Sequence, residues 1–283
     1  LDPILVTQGL NLVFAVAVLA VLALGLAVVF GLLGVLNLAH GEFIMVGAYC
    51  AWATTAAGLP YVAAIPLAIA VCGGLGLTVE RWLIRPLYRR PFDTLVATWG
   101  LSLLLRKAAE AAFGLSFRNV AMPLPGTVRV LGTDYPGYRL LLIAISAAIV
   151  GGLMLWYRRS RTGLRIRAMV GNPDLAQAVG IRATRLAAGT FAAGTCLAGL
   201  GGVMIAPLVP LQPLMGLDFV LRSFFALVIG GLGSAVGLFA GSAVIGGVDS
   251  LVSALLDATW GYFAVLVVAI LFLWRRPGGL FAR

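Results

Sequence analysis

The chain has 283 residues, 61% of them apolar and 11% charged, with a mean hydropathy of +1.06. A soluble domain holds about 45–50% apolar and about 25% charged residues, so a soluble globular protein and a disordered one are both excluded, leaving an all-α polytopic membrane protein. The net charge of +10 rests on 20 basic residues, 19 of them Arg. These crowd into a few segments between apolar runs, where they report membrane orientation and not a nucleic-acid partner.

In chain order, apolar stretches long enough to enter a bilayer fall at 9–36, 38–57, 61–80, 94–113, 139–157, 186–206, 219–233, 235–256 and 258–274. A full span needs about 20 residues, so 219–233 reads as a half-span or part of a broken helix, and the expected count is eight or nine. No cleavable signal is expected, because the first stretch is too long and no basic segment precedes it. Residues 1–283 read as one transmembrane domain. Three segments carry most of the arginines: Arg81, Arg85, Arg89 and Arg90; then Arg158, Arg159, Arg161, Arg165, Arg167, Arg182 and Arg185; then Arg275, Arg276 and Arg283. All three are placed in the cytoplasm. Loop 114–138, rich in Pro and Gly, is then external and irregular. The side of the N-terminus stays open, because the 9–57 stretch contains a break of unknown depth. Trp82, Tyr88, Trp156, Tyr157 and Trp274 flank the basic segments, as headgroup-level aromatics do.

The run GLLGVLNLAHGEFIMVGAY, Gly31 to Tyr49, sets Asn37, His40 and Glu42 inside apolar sequence. A carboxylate at the bilayer centre costs at least about 2.5–3.5 kcal/mol, and nothing nearby in sequence compensates Glu42. Gly34 and Gly41 predict a helix break here. Three readings stand side by side: these groups line a solute path, His40 is an interhelical hydrogen-bonder, or the break is a cytoplasmic hairpin with Glu42 solvated at a helix start. A second Gly-broken run, Val228 to Gly247, suggests an internal repeat by pattern alone. Asp93 and Thr94 mark a helix start, after which Thr98 and Trp99 enter the membrane; Trp99 either lines a path or packs against a neighbour. Cys50, Cys72 and Cys196 read as small packing residues. Two ladders of small residues, Gly194/Ala198/Gly202 and Gly233/Gly237/Gly241, suit close helix contact within one subunit or between subunits.

The basic loop 158–185 holds a short helix signal. Asn172 is an N-cap, Pro173 fits the first helical position, Asp174 suits the positive helix end, and Gly180 can end the helix, which predicts about 173–179. So short a helix must dock on something, either its own subunit or a partner. The chain has no GxxxxGK[ST] phosphate loop, no HExxH and no GxSxG; its only lysine, Lys107, sits in a span. No catalytic or metal residue is expected, and energy from ATP must come from another chain.

Five runs together resemble the branched-chain amino-acid ABC permease family: the Gly31–Tyr49 run, RTGLRIRAMVGNPDLAQAVGI from Arg161, FAAGTCLAGLGGVM from Phe191, FFALVIGGLGSAVG from Phe224, and RRPGGLFA from Arg275. RPFDTLVATWGLSLLL from Arg90 and PLPGTVRVLGTDYPGYRL from Pro123 are most similar to its urea and short-chain amide subgroup, with Arg106 and Lys107 as a departure. The resemblance implies a heteromeric importer of the bacterial cytoplasmic membrane. Its partners would be a second homologous permease, two cytosolic ATP-binding subunits carrying ATP and Mg2+, and an external solute-binding protein. Asn37, His40, Glu42, Thr98 and Trp99 would lie near the translocation path. Asn172, Pro173, Asp174, Ala176, Val179 and Gly180 would couple to the ATPases. The expected solute is urea or a short amide, with a branched-chain amino acid as the alternative and a passive small-solute channel as another class.

Overall fold

The computed structural model describes residues 2–88, 90–232, 234–276 and 278–281, so Arg89, Gly233 and Arg283, with Pro277 and Ala282 of the run from Arg275, lie outside the described residues. Eleven α-helices follow in order. They are α1 (Pro3–Leu33), α2 (His40–Ala56), α3 (Ala64–Val79), α4 (Pro91–Phe113), α5 (Gly137–Arg159), α6 (Arg161–Gly171), α7 (Pro173–Ala178), α8 (Ala183–Ile205), α9 (Met215–Gly230), α10 (Ala235–Leu255) and α11 (Ala258–Arg275). A 3-10 turn, Tyr61–Ala63, leads into α3, which continues through a π-turn (Glu80–Ile84) and a further 3-10 turn (Arg85–Leu87). Each predicted apolar stretch falls on one of these helices. Six are long and apolar enough to cross a membrane: Pro3–Leu33, Tyr61–Leu87, Gly137–Arg159, Ala183–Ile205, Val236–Leu255 and Ala258–Arg275. The other three stretches are α2 with 17 residues, α9 with 16, and α4, whose 23 residues include Asp93, Arg106, Lys107 and Glu110.

The expectation of an irregular loop at 114–138 needs one correction. Loop 114–138 carries an antiparallel hairpin, β1 (Thr127–Val130) and β2 (Thr133–Pro136), with Val128 opposite Tyr135. Its two-residue turn, Leu131 and Gly132, has φ of 49° and 88°. Two positive φ values mark the turn class whose twist matches a hairpin.

This hairpin fixes the orientation of α1. Asn11 Oδ1 accepts from the Tyr135 hydroxyl at 2.9 Å and from Arg139 Nη1 at 2.9 Å, so the start of α1 lies on the same side as loop 114–138. Tyr61 and Tyr138 hydroxyls meet the carbonyls of Val203 and Met204 at the same side. At the opposite end, Glu80 is buried within the first basic segment, taking Arg85 Nη2 at 3.0 Å and the Tyr88 hydroxyl. Trp82, Trp156 and Trp274 are exposed there, as interfacial rings should be.

Helix α8 is the hub, packed against α1, α2 and α3, while α9, α10 and α11 form a second group joined through α1. Missing side chains allow this. A Cβ on Gly194 would stand 2.8 Å from the Gly25 carbonyl oxygen of α1, and one on Gly202 would meet the Ile44 carbonyl oxygen and the Ala48 nitrogen of α2. Gly237 and Gly241 abut Gly230 and Ala226 of α9 in the same way. Gly194, Gly202, Gly237 and Gly241 therefore serve contacts within the chain; in lipid, where apolar burial gives no drive, close backbone approach supplies it.

Candidate functional site

The predicted break lies between α1 and α2. Helix α1 ends on Gly34 in the left-handed region (φ 64°), where a side chain would be strained. Residues 34–39 then turn back along α1. By His40 the chain has returned to the level of Leu22, deep inside α1, whose carbonyl accepts from His40 Nε2 at 2.9 Å. So α2 begins inside the protein and not in a cytoplasmic hairpin. Asn37 is 2% exposed, His40 0% and Glu42 1%. The solvated-Glu42 reading is thereby corrected. The interhelical reading of His40 holds for one ring nitrogen, while among the described residues Nδ1 has no partner and Asn37 Nδ2 has none either. Asn37 Oδ1 accepts from Ala39 N at 3.0 Å, an Asx-type contact that shapes the entry into α2.

Sequence reasoning found no counter-charge for Glu42; the fold supplies one from α4. Helix α4 turns Thr94, Thr98 and Ser102 inward at four-residue spacing, all buried, and Arg106 continues that stripe. Ser102 Oγ donates to Glu42 Oε1 at 2.9 Å, and Arg106 Nη2 donates to the same oxygen at 3.0 Å and to Ser102 Oγ at 3.0 Å. The Arg106 side chain is 14% exposed against 1% for Glu42. Glu42 Oε2 and Arg106 Nε have no partner among the described residues. The only sequence signal was Arg106, beside Lys107 late in an apolar stretch, with nothing to point at a residue so far back in the chain.

Helix α9 also starts beside this pair. Gly216 abuts the Gly41 carbonyl, and a Cβ there would stand 2.8 Å from Glu42 Oε2. Gly41 and Gly216 thus bring two helix N-termini, those of α2 and α9, to one buried carboxylate. Two residues on, Asp218 is exposed and takes part in none of the ion pairs among the described residues. The second Gly-broken run behaves otherwise. It is a turn between α9 and α10, against which Leu280 and Phe281 lie after α11, with Leu280 N donating to Ile229 O at 2.8 Å.

Thr98 and Trp99 part company. Thr98 is buried and its Oγ1 accepts from Leu38 N at 3.3 Å, tying α4 to the break. Trp99 is 61% exposed, so the packed-Trp reading is corrected; with Leu38, Leu95, Val96 and Gly100 it lines an apolar groove of about 400 Å³. Further out along the α2–α4 seam, Tyr49 stacks on Phe113 at 4.4 Å and the Arg118 guanidinium lies 4.8 Å over Trp52.

In loop 158–185, the short helix forms over 173–178, one residue shorter than expected. Asn172 Oδ1 accepts from Leu175 N at 3.0 Å, Pro173 holds the first position, Asp174 the first turn, and Gly180 follows with φ 87°. Ala176 is 3% exposed, whereas Leu175 and Val179 are 62% and 71% exposed. The helix therefore docks on its own chain through Ala176 and presents Leu175 and Val179 outward. The preceding α6, absent from the sequence reading, caps on Ser160, whose Oγ accepts from Gly163 N at 2.9 Å, and packs against α5, α7 and α1. Its exposed Leu164 and Val170 extend the apolar surface, amid arginines.

Residues 9–274 match the family described as branched-chain amino acid transport system / permease component. The chain belongs to this family. It is 27% identical to the high-affinity branched-chain amino acid transport system permease protein LivH of Salmonella typhimurium, over 93% of this chain and 91% of that one. Its identity to BraD of Pseudomonas aeruginosa is also 27%, with the same coverage. A probable LivH of Methanocaldococcus jannaschii is 25% identical over 86% of this chain and 79% of its own. Among solved structures, PsaBC from Streptococcus pneumoniae in complex with Fab shares the fold, with a TM-score of 0.53 at 13% identity, covering 93% of this chain and 89% of that one. The permease is accordingly a multi-pass protein of the bacterial inner membrane, and membership implies ATP-binding and substrate-binding partners. The urea and short-amide expectation gains no support from these relatives, which favour the branched-chain amino-acid alternative.

Proposed function

We propose that this permease subunit moves a branched-chain amino acid across the inner membrane by alternating access, driven by ATP on partner chains. The observation that carries the reading is the family match over residues 9–274, with relatives named for branched-chain amino acids. The assembly would comprise this chain, a second homologous permease, two cytosolic ATP-binding subunits holding ATP and Mg2+, and an external binding protein. Loop 158–185 is the coupling element: Asn172, Pro173, Asp174 and Gly180 shape α7, Ala176 seats it, and Leu175 and Val179 face the ATPases. Asn37, His40, Glu42 and Thr98 lie at the broken start of α2 on the solute path, with Trp99 at its margin. Counting α2, α4 and α9 with the six apolar helices gives nine membrane-embedded segments. An exposed Asp218 is costly against lipid, which supports a wet or partner-covered outer face on α9.

The test is uptake of labelled leucine, urea and acetamide by the complete complex in proteoliposomes. ATP-dependent accumulation of leucine alone is expected. Accumulation of urea or acetamide with no leucine, or flux through the purified chain without ATP, would refute the reading.

A further inference from the structure

The charge pair buried between α2 and α4 is poised for exchange. Glu42 uses one carboxylate oxygen for both of its partners, and the other has none. Arg106 uses Nη2 for both of its contacts, and its Nε is buried without a partner. A pair built only for stability would join the carboxylate and guanidinium through two parallel bonds, the geometry that best offsets desolvation. Here one anionic and one cationic hydrogen-bonding position stay vacant within a single ion pair. Gly216 packs its backbone against that of Gly41 beside this oxygen, where a Cβ would stand 2.8 Å away. Arg106 keeps the pair's only appreciable exposure, so the way in runs along α4.

We propose that Glu42 and Arg106 form the recognition site for the two charged ends of a zwitterionic α-amino acid, its ammonium taken by Glu42 Oε2 and its carboxylate by the Nε edge of Arg106. This rests on the amino-acid reading above. Inserted there, the zwitterion's two charges and the pair's own alternate in sign, so each charge has opposite neighbours. The desolvation that opposes carrying a zwitterion through a membrane is thereby offset without leaving either residue unpaired. A neutral amide or urea supplies only dipoles to two full charges, and a site built to pair charges rejects such solutes.

The test uses the complete complex in proteoliposomes, with ATP-dependent leucine uptake and binding-protein-stimulated ATP hydrolysis read together. Wild-type uptake of leucine is expected, and its absence would overturn both this inference and the amino-acid reading. The double variant E42Q/R106Q retains hydrogen bonding to Ser102 with no charge left unpaired. It should assemble and hydrolyse ATP within about twofold of wild type, with leucine uptake reduced about 100-fold. Double-variant uptake within about threefold of an active wild type would make the pair structural and overturn this inference alone. R106K keeps the cation and covers the case in which the double variant does not assemble. Losing the guanidinium fork, it should raise the leucine KM about tenfold with ATP hydrolysis unchanged; an unchanged KM would also overturn the inference.

Discussion

Replacing Gly47 by Ala probes the contact on which the placement of α2 depends. A Cβ at this position would stand 2.6 Å from both the carbonyl carbon and the Cα of Gly199, with the Gly199 oxygen closer still. Carbon atoms in contact settle at about 3.5–4.0 Å, so α2 and α8 must separate by about 1 Å. These are backbone atoms of a buried helix, and Gly199 itself lies against the Cys72 sulfur, so nothing soft can yield. Overpacking of this kind costs about 1–3 kcal/mol, a fall in melting temperature of about 2–12 °C for a chain of this class. The assay is thermal unfolding of purified protein in detergent, with G151A as control. At Gly151 of α5 an added Cβ would have nothing within 4 Å, and a methyl in a helix there should raise stability by about 0.5–1 kcal/mol. Melting temperatures for G47A and G151A that shift upward together would show that α2 and α8 do not meet at Gly47 and Gly199.

Further outcomes follow from the same geometry. A176D and V179D should separate the two faces of α7: a carboxylate at buried Ala176 should destabilise the chain, whereas V179D should fold normally and lose at least tenfold of its ATP-binding subunit in copurification. Equal melting and equal recovery for both would remove the distinction. N172A deletes the N-cap of α7, worth about 1 kcal/mol, so amide exchange over residues 173–178 should rise about fivefold by mass spectrometry. Leu131, exposed at the tip of the outer hairpin with φ 49°, carries the strain of a left-handed residue, about 1–2 kcal/mol, which Asn tolerates better. L131N should therefore slow exchange of the hairpin amides, and faster exchange would contradict the turn assignment.

What the sequence made legible was local. The apolar runs located nine helices because each run is its own signal. Helix α7 was readable to within one residue because Asn172, Pro173 and Gly180 act on their neighbours. Glycine and proline in loop 114–138 hid the hairpin, since they marked irregularity while the strand-forming Val128 and Val130 lay between them. Helix α6 was missed because its arginines made it read as loop, although Leu164 and Val170 give it an apolar side. Most of the site was out of reach. Glu42 was visible as an anomaly, but its partners Ser102 and Arg106 come from another helix, and Gly216 from a third. The depth of the 34–39 break depends on a contact between His40 and Leu22 that no spacing rule contains. The subgroup read from the Arg90–Leu105 run gains no support, for a related reason: that run encodes a helix start and a polar stripe, features that fold α4 without specifying a solute.

The most direct measurement of the central claim, that this membrane chain is driven by nucleotide-hydrolysing partners at its inner rim, is cross-linking of V179C in the assembled transporter during turnover. The account predicts a covalent adduct with an ATP-binding subunit, and labelling of V179C by an impermeant thiol reagent only from the cytoplasmic side. Labelling from the outside, or active transport with no adduct to any partner chain, would contradict it.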